Sequence, residues 1–155
     1  MNKIMVFPTS WGWFRLVLTP KGVYSLRRVE NERETTSHLI PERIKLYLRG
    51  DKEDFRDIPV DWEGYSQEER KVLEVVREIP YGKTKSYRWV AKESGFPNRW
   101  RWVGRVLSKN RTPLIIPCHR VIRSDGKIGG FSWGGEWKEK LLELERGGSE
   151  ADPDT

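Results

Sequence analysis

Apolar and polar residues alternate over the first thirty positions, and this period of two predicts strands at Met5-Val6-Phe7, Trp13 to Leu18 and Val23 to Leu26. Thr19-Pro20-Lys21-Gly22 reads as a turn between the last two, so the segment is expected to form an antiparallel meander. From Pro41 the period lengthens, and Ile44, Tyr47 and Leu48 share one face of a helix that Gly50 stops. Ile58-Pro59-Val60 reads as a short strand. The polar stretch Asp61 to Gly64 then marks a boundary, giving residues 1–61 as one domain and 62–155 as a second. His38 is expected to face solvent.

Beyond the boundary the pattern is helical. Ser66 with Glu69 has the spacing of a capping box, and the helix it opens puts Val72, Leu73, Val76 and Ile79 on one face. Pro80-Tyr81-Gly82 ends it. Two short helices follow, Ser86 to Ser94 and Asn98 to Lys109, with Asn98 as the second cap and Gly95-Phe96-Pro97 between them. This pair predicts a helix-turn-helix. Leu114-Ile115-Ile116 looks like a buried strand, Ser124 to Phe131 like a turn running into a glycine-rich loop, and Trp137 to Glu145 like a closing helix. The expected fold class is α+β: a small N-terminal antiparallel-sheet domain with one helix, and a mainly helical C-terminal domain.

Composition narrows the function. At 155 residues, with 34% charged residues and eight tryptophans, the chain can bury a real core. The start of the chain has no signal-peptide pattern and no run approaches a membrane span, so a soluble, cytoplasmic protein without a membrane partner is expected. Charge is uneven. Eleven Lys or Arg between Tyr81 and Ser124 face Glu93 alone, so this stretch carries +10 of a net +6 and the remainder is acidic. A basic block of that density is the electrostatic footprint of a nucleic-acid surface.

Cys118, the only cysteine, sits next to His119, one of two histidines, in Ile116-Pro117-Cys118-His119-Arg120-Val121. A single cysteine forms no internal disulfide, which leaves packing, redox sensing or nucleophilic chemistry. His119, Arg120 and Arg123 would favour the thiolate as cationic neighbours. Adjacent residues of an extended chain point apart, so Cys118 and His119 need a bend, which Pro117 allows, or a bridging water. Two histidines and one cysteine argue against a zinc site, and no cofactor is expected.

Taken together, Pro117-Cys118-His119-Arg120-Val121, with Gly82, Tyr87, Arg101-x-Val103-Gly104, Asn110, Gly126-x-x-Gly129, Lys138 and Glu145, resembles the O6-alkylguanine-DNA alkyltransferases, the methylated-DNA–protein-cysteine methyltransferases. The resemblance covers about Tyr65 to Glu145. It implies a winged helix-turn-helix-like DNA-binding motif, and a single-turnover transfer of an alkyl group from O6-alkylguanine in double-stranded DNA (O4-alkylthymine as a further substrate) to Cys118. It assigns His119 as the base acting through water, Glu145 as its orienting partner, Tyr87 as donor to the departing guanine, and Asn110 as the residue holding the turn. Val121, Gly129, Gly130, Phe131 and Ser132 would contact the base. Arg101 would fill the gap left by the flipped nucleotide, with Tyr87, Trp100, Trp102, Gly104, Arg105 and Arg120 on the DNA. The family acts without a metal, and the expected unit is a monomer, with cooperation along DNA left open.

The chain departs from the family at Trp100, Trp102 and Arg105, where small residues are usual, at Phe131 in place of tyrosine, and at Arg111 in place of proline. The competing readings are a non-catalytic sensor of alkylated bases, a helix-turn-helix regulator with an incidental thiol, and a cysteine hydrolase. The last lacks any sign of an oxyanion site.

Overall fold

Cross-strand pairing explains the first element group. In the computed structural model, which describes residues 2–30, 33–35 and 38–148, three strands form an antiparallel sheet: β1 (Lys3–Thr9), β2 (Gly12–Thr19) and β3 (Gly22–Val29). Met5 faces Leu16, Leu16 faces Leu26, and Phe7 faces Phe14, so the alternating apolar residues form one buried face. Helix α1 (Leu39–Leu48) brings Ile44, Tyr47 and Leu48 into the same core. His38, half-buried, is its N-cap, with Nδ1 accepting from the Ile40 N–H at 3.3 Å.

The strand expected at Ile58 to Val60 is reduced to one parallel bridge between Val60 and Val23. Pro59 has no N–H to extend a ladder, and its carbonyl instead accepts from the Val23 N–H at 2.8 Å. Gly22, at φ 137°, allows this: a Cβ there would lie 2.4 Å from the Pro59 oxygen.

In the second half, α2 (Gln67–Arg77) opens on the full Ser66/Glu69 capping box. Helices α3 (Tyr87–Glu93) and α4 (Trp100–Ser108) pack as a helix-turn-helix, preceded by β4 (Lys85–Ser86), which pairs in parallel with β5 (Val121–Ile122). The chain closes with α5 (Gly135–Gly148). Asn98 does not cap α4. A turn in which the Arg99 N–H donates to Phe96 O carries the chain past it, and Arg99 becomes the N-cap without a side-chain bond. Leu114 to Ile116 is buried as expected but forms a tight turn, with Leu114 at φ 74° and the Ile116 N–H on Thr112 O at 2.9 Å.

Arg111 stitches the halves together. Its guanidinium lies 4.1 Å from the Tyr24 ring centre and 4.3 Å from that of Tyr65, and donates to Tyr24 O and Asp61 O. Its own carbonyl accepts from the Leu26 N–H at 2.8 Å. A single apolar cluster runs from Phe14 through Tyr47 and Leu73 to Leu141. The extreme ends of the expected domain division, residue 1 and residues 149–155, lie outside the described residues. Among the described residues no helix is long and apolar enough to cross a membrane.

Gly22→Ala would force both a left-handed backbone and a clash with Pro59. It is expected to destabilise the protein by about 1–3 kcal/mol, read as a lowered urea midpoint.

Candidate active site

The turn at Leu114 feeds Pro117, whose φ of −80° and ψ of 63° bend the chain into one turn of 3-10 helix, Cys118–Arg120. The bend supplies what an extended Cys-His pair lacks. Asn110 braces it: Nδ2 donates to Ile116 O at 3.0 Å and to Cys118 Sγ at 3.2 Å, while Oδ1 accepts from the Thr112 N–H and hydroxyl. Cys118 is only 4% exposed, and burial pushes its thiol up to about 11, with the Asn110 hydrogen bond and the Lys138 charge opposing. At neutral pH it is therefore a thiol that needs a base.

His119 is the neighbour that can provide one. It is fully buried, with Nε2 2.6 Å from Glu145 Oε2. A carboxylate can only accept, so Nε2 carries the hydrogen and Nδ1 holds a lone pair. Nδ1 is itself buried and has no hydrogen-bond partner among the described residues. Burial drives the His119 pKa below 6.5 although Glu145 pulls it up, so the ring stays neutral at pH 7.

Glu145 is held from five directions, by Tyr47 Oη, the Gly82 N–H, His119 Nε2, and Nε and Nη2 of Arg120. Burial alone would raise its pKa, but His119 and Arg120 outweigh that and hold it well below the usual carboxylate range.

This places Arg120 differently from expectation. It is 7% exposed, forks onto Glu145, and donates Nη1 to Ile79 O at 2.7 Å, so it is an internal counter-ion rather than a DNA contact. Nor does it or Arg123 bias the thiol: Arg123 is paired with Asp125 at 2.8 Å. The cation that acts on Cys118 is Lys138, which sequence reasoning used only as a motif position. Lys138 is fully buried, with Nζ donating to Gly130 O at 3.1 Å and to Tyr87 Oη at 3.3 Å, and burial lowers its pKa to about 8.

A cavity of about 230 Å³ opens beside Sγ, lined by Tyr87, Gly104, Leu107, Ser108, Cys118, Gly130, Phe131 and Ser132. Leu107 and Ser108 were not anticipated; they lie one turn beyond Gly104 on α4, a spacing of three and four that puts them on its face. Gly129 does not line the cavity. At φ 76° it lets the loop lie against Tyr87, where a Cβ would come 2.8 Å from Oη. Val121 is buried in the β4–β5 ladder, and its N–H is spent on Cys118 O. Burial raises the Tyr87 pKa, so its hydroxyl keeps its proton at neutral pH.

The outer face of the helix pair is cationic. Arg88, Arg99, Arg101 and Arg105 are exposed and make no ion pair with a described carboxylate. Trp100 and Trp102 are half-buried and engaged rather than free. Arg88 and Arg101 each sit 5.0 Å from Trp100, while Trp102 packs on Phe96 and carries Arg99 at 4.4 Å.

A buried thiol, a neutral imidazole backed by a carboxylate and a cavity under a basic helix-turn-helix define a thiol-bearing, nucleic-acid-facing protein. Residues 67–147 match the family model for the DNA-binding domain of 6-O-methylguanine DNA methyltransferase. The chain therefore belongs to the O6-methylguanine-DNA methyltransferase family. It is 46% identical over 110 residues to a methylated-DNA–protein-cysteine methyltransferase of Methanopyrus kandleri, covering 71% of this chain and 81% of that one. It is also 34% identical to a Thermus thermophilus DNA base-flipping protein, covering 91% of this chain and 98% of that one. Mycobacterium tuberculosis OGT, solved in complex with DNA, superposes with a TM-score of 0.81 at 28% identity, covering 94% of each chain.

Because the folded pKa of Glu145 lies below its ordinary 4.5, its contribution to stability is present above about pH 4.5 and is lost as pH falls further. His119 acts in the same direction at higher pH, since the unfolded imidazole gains a proton below about 6.5 that the buried ring resists. Glu145→Gln, which strands the buried Arg120, is expected to cost about 3–5 kcal/mol at pH 7. In urea titrations the deficit should narrow below about pH 4.5, where the wild-type carboxylate loses its advantage.

Proposed function

We propose that this protein repairs O6-alkylguanine in double-stranded DNA by moving the alkyl group irreversibly onto Cys118. The observation that carries the reading is a sole cysteine opening into a base-sized cavity while the next residue offers an unoccupied imidazole nitrogen. Its nearest chemistry is alkyl transfer, because the site sets a nucleophile and a hydrogen-bond donor around one cavity, with a base next to the nucleophile in the chain.

The damaged nucleotide leaves the stack and enters the cavity between Tyr87, on α3, and the Gly130 to Ser132 loop, at a cost of a few kcal/mol. Arg101, exposed at the start of α4, fills the gap, and Trp100 holds its guanidinium ready. The Cys118 proton passes through one water to His119 Nδ1, and Glu145 stabilises the imidazolium that results. Sulfur attacks the alkyl carbon in line as the carbon–O6 bond breaks. The electron pair of that bond leaves with the guanine, which takes up one proton in exchange for the one the thiol lost. Tyr87 is the donor: Lys138 Nζ donates to Oη, so the phenolic hydrogen is directed away from the lysine and into the cavity.

The product is a thioether, which has no easy return, so each chain reacts once. The acting unit in this reading is a monomer on duplex DNA. No metal or cofactor enters any step.

The relative named as a DNA base-flipping protein makes lesion binding without transfer the second reading. A duplex carrying one O6-methylguanine separates the two: restored guanine should equal the protein added and then stop, while Cys118→Ala should bind the same duplex and restore none. Equal binding with no restoration by the wild type would establish the sensor instead. Arg101→Ala should slow repair in duplex DNA roughly tenfold or more, with reaction of free O6-benzylguanine within about twofold of wild type, because flipping is needed only in the duplex.

A further inference from the structure

The alkyl-transfer centre draws one group from the other half of the chain. Tyr47 lies on α1, 98 residues before Glu145, and is 1% exposed. Its hydroxyl donates to Glu145 Oε2 at 2.5 Å and lies 3.3 Å from His119 Nε2. Edge contacts with Phe55 and Tyr81, at centroid distances of 5.6 and 6.0 Å, keep the ring from turning away.

Oε2 of Glu145 receives three donors: Tyr47, His119 Nε2 and Arg120 Nη2. An oxygen with two lone-pair sites shares them among three partners, so each donor weakens the hold on the others. Tyr47 therefore competes with His119 for one oxygen, while its own hydroxyl oxygen, 3.3 Å from Nε2, is a second acceptor for the imidazole hydrogen.

We propose that Tyr47 is a positioning residue for alkyl transfer: by sharing Glu145 Oε2 it keeps the proton of His119 on Nε2 and limits the pull of the carboxylate on the imidazolium, so Nδ1 stays free to take the Cys118 proton. The inference rests on the alkyl-transfer reading and gives the N-terminal half a part in the chemistry. The charged and titratable groups around His119 are Tyr47 from α1, Tyr81 from the loop after α2, Cys118 and Arg120 from the 3-10 turn, and Lys138 and Glu145 from α5. Arg120 and Lys138 oppose a charge on the ring, and Glu145 favours it. Removing the Tyr47 hydroxyl strengthens the one group that favours charging.

The test is Tyr47→Phe in the full chain, which keeps the ring packing and deletes the hydroxyl. With only two histidines, nitrogen-resolved NMR follows both, and His38 serves as the internal reference. The His119 midpoint should rise by about one pH unit, a tenfold gain in proton affinity. The acid limb of Cys118 alkylation by free O6-benzylguanine should move up with it, while binding to undamaged duplex stays unchanged. A folded variant with an unmoved His119 midpoint overturns the proposal, and so does a shifted midpoint with an unmoved rate profile. If the variant does not fold, the wild type still decides: His119 must be the Nε2–H tautomer, with a slowly exchanging Tyr47 hydroxyl proton close to it, and the other tautomer overturns the assignment. Absence of any Cys118 alkylation in the wild type would instead strike the alkyl-transfer reading, before any variant is compared.

Discussion

One buried carboxylate organises this molecule. Glu145 is 1% exposed, and a charge so placed would be prohibitively costly without partners. It draws Arg120 inward, takes the Nε2 hydrogen of His119, fixes the Gly82 N–H after α2 and reaches Tyr47 on α1. Three separated parts of the chain thus meet at one group on α5. The tautomer of His119 follows from that group, and with it which nitrogen can face Cys118. A pair of this kind adds little net stability compared with apolar packing, but losing one partner strands the other, so its role is in geometry.

The thiol illustrates a balance between protection and reactivity. An exposed thiolate would be open to oxidation. Burial instead keeps Cys118 protonated, with its pKa pushed up to about 11, so its activation depends on a base. Lys138 offsets part of the burial cost and at the same time donates to Tyr87 Oη, so a single buried ammonium bears on both side chains. A lysine brought down to about 8 by burial is suited to give or regain a proton near neutral pH.

Much of this was legible in the chain itself. The meander, α1 with its Tyr47 face, the capping box of α2 and the helix pair all follow from apolar periodicity and turn residues, which are local signals. Cys118, His119, Asn110 and Tyr87 were marked by an unusual residue in an unusual setting and by the family resemblance. What escaped depends on long-range pairing. Arg120 reads as one more cation in a basic block, and only the fold reveals Glu145 opposite it, twenty-five residues later. Lys138 is only a motif position in the sequence, and its burial on α5 is visible only in the fold. Leu114 to Ile116 has the composition of a strand, yet Pro113 and the Thr112 to Ile116 hydrogen bond make it a turn. Arg111, where the family commonly has proline, proves to be the clamp between Tyr24 and Tyr65.

The tryptophans of α4 resolve along the same lines. Trp100 and Trp102 are wide where the family is narrow, but each is occupied by arginine, so the helix presents guanidinium groups on aromatic supports rather than bare apolar wedges. The surface for DNA and the centre for chemistry are joined through Gly104, Leu107 and Ser108, which belong to α4 and also line the cavity. The most direct test of the whole account is the mass of the protein after incubation with an O6-methylguanine duplex, followed by peptide mapping. The account predicts a gain of one methyl group, about 14 Da by atomic arithmetic, on every chain and confined to Cys118. An unchanged mass after the lesion has been bound, or a methyl group found on any other residue, would contradict it.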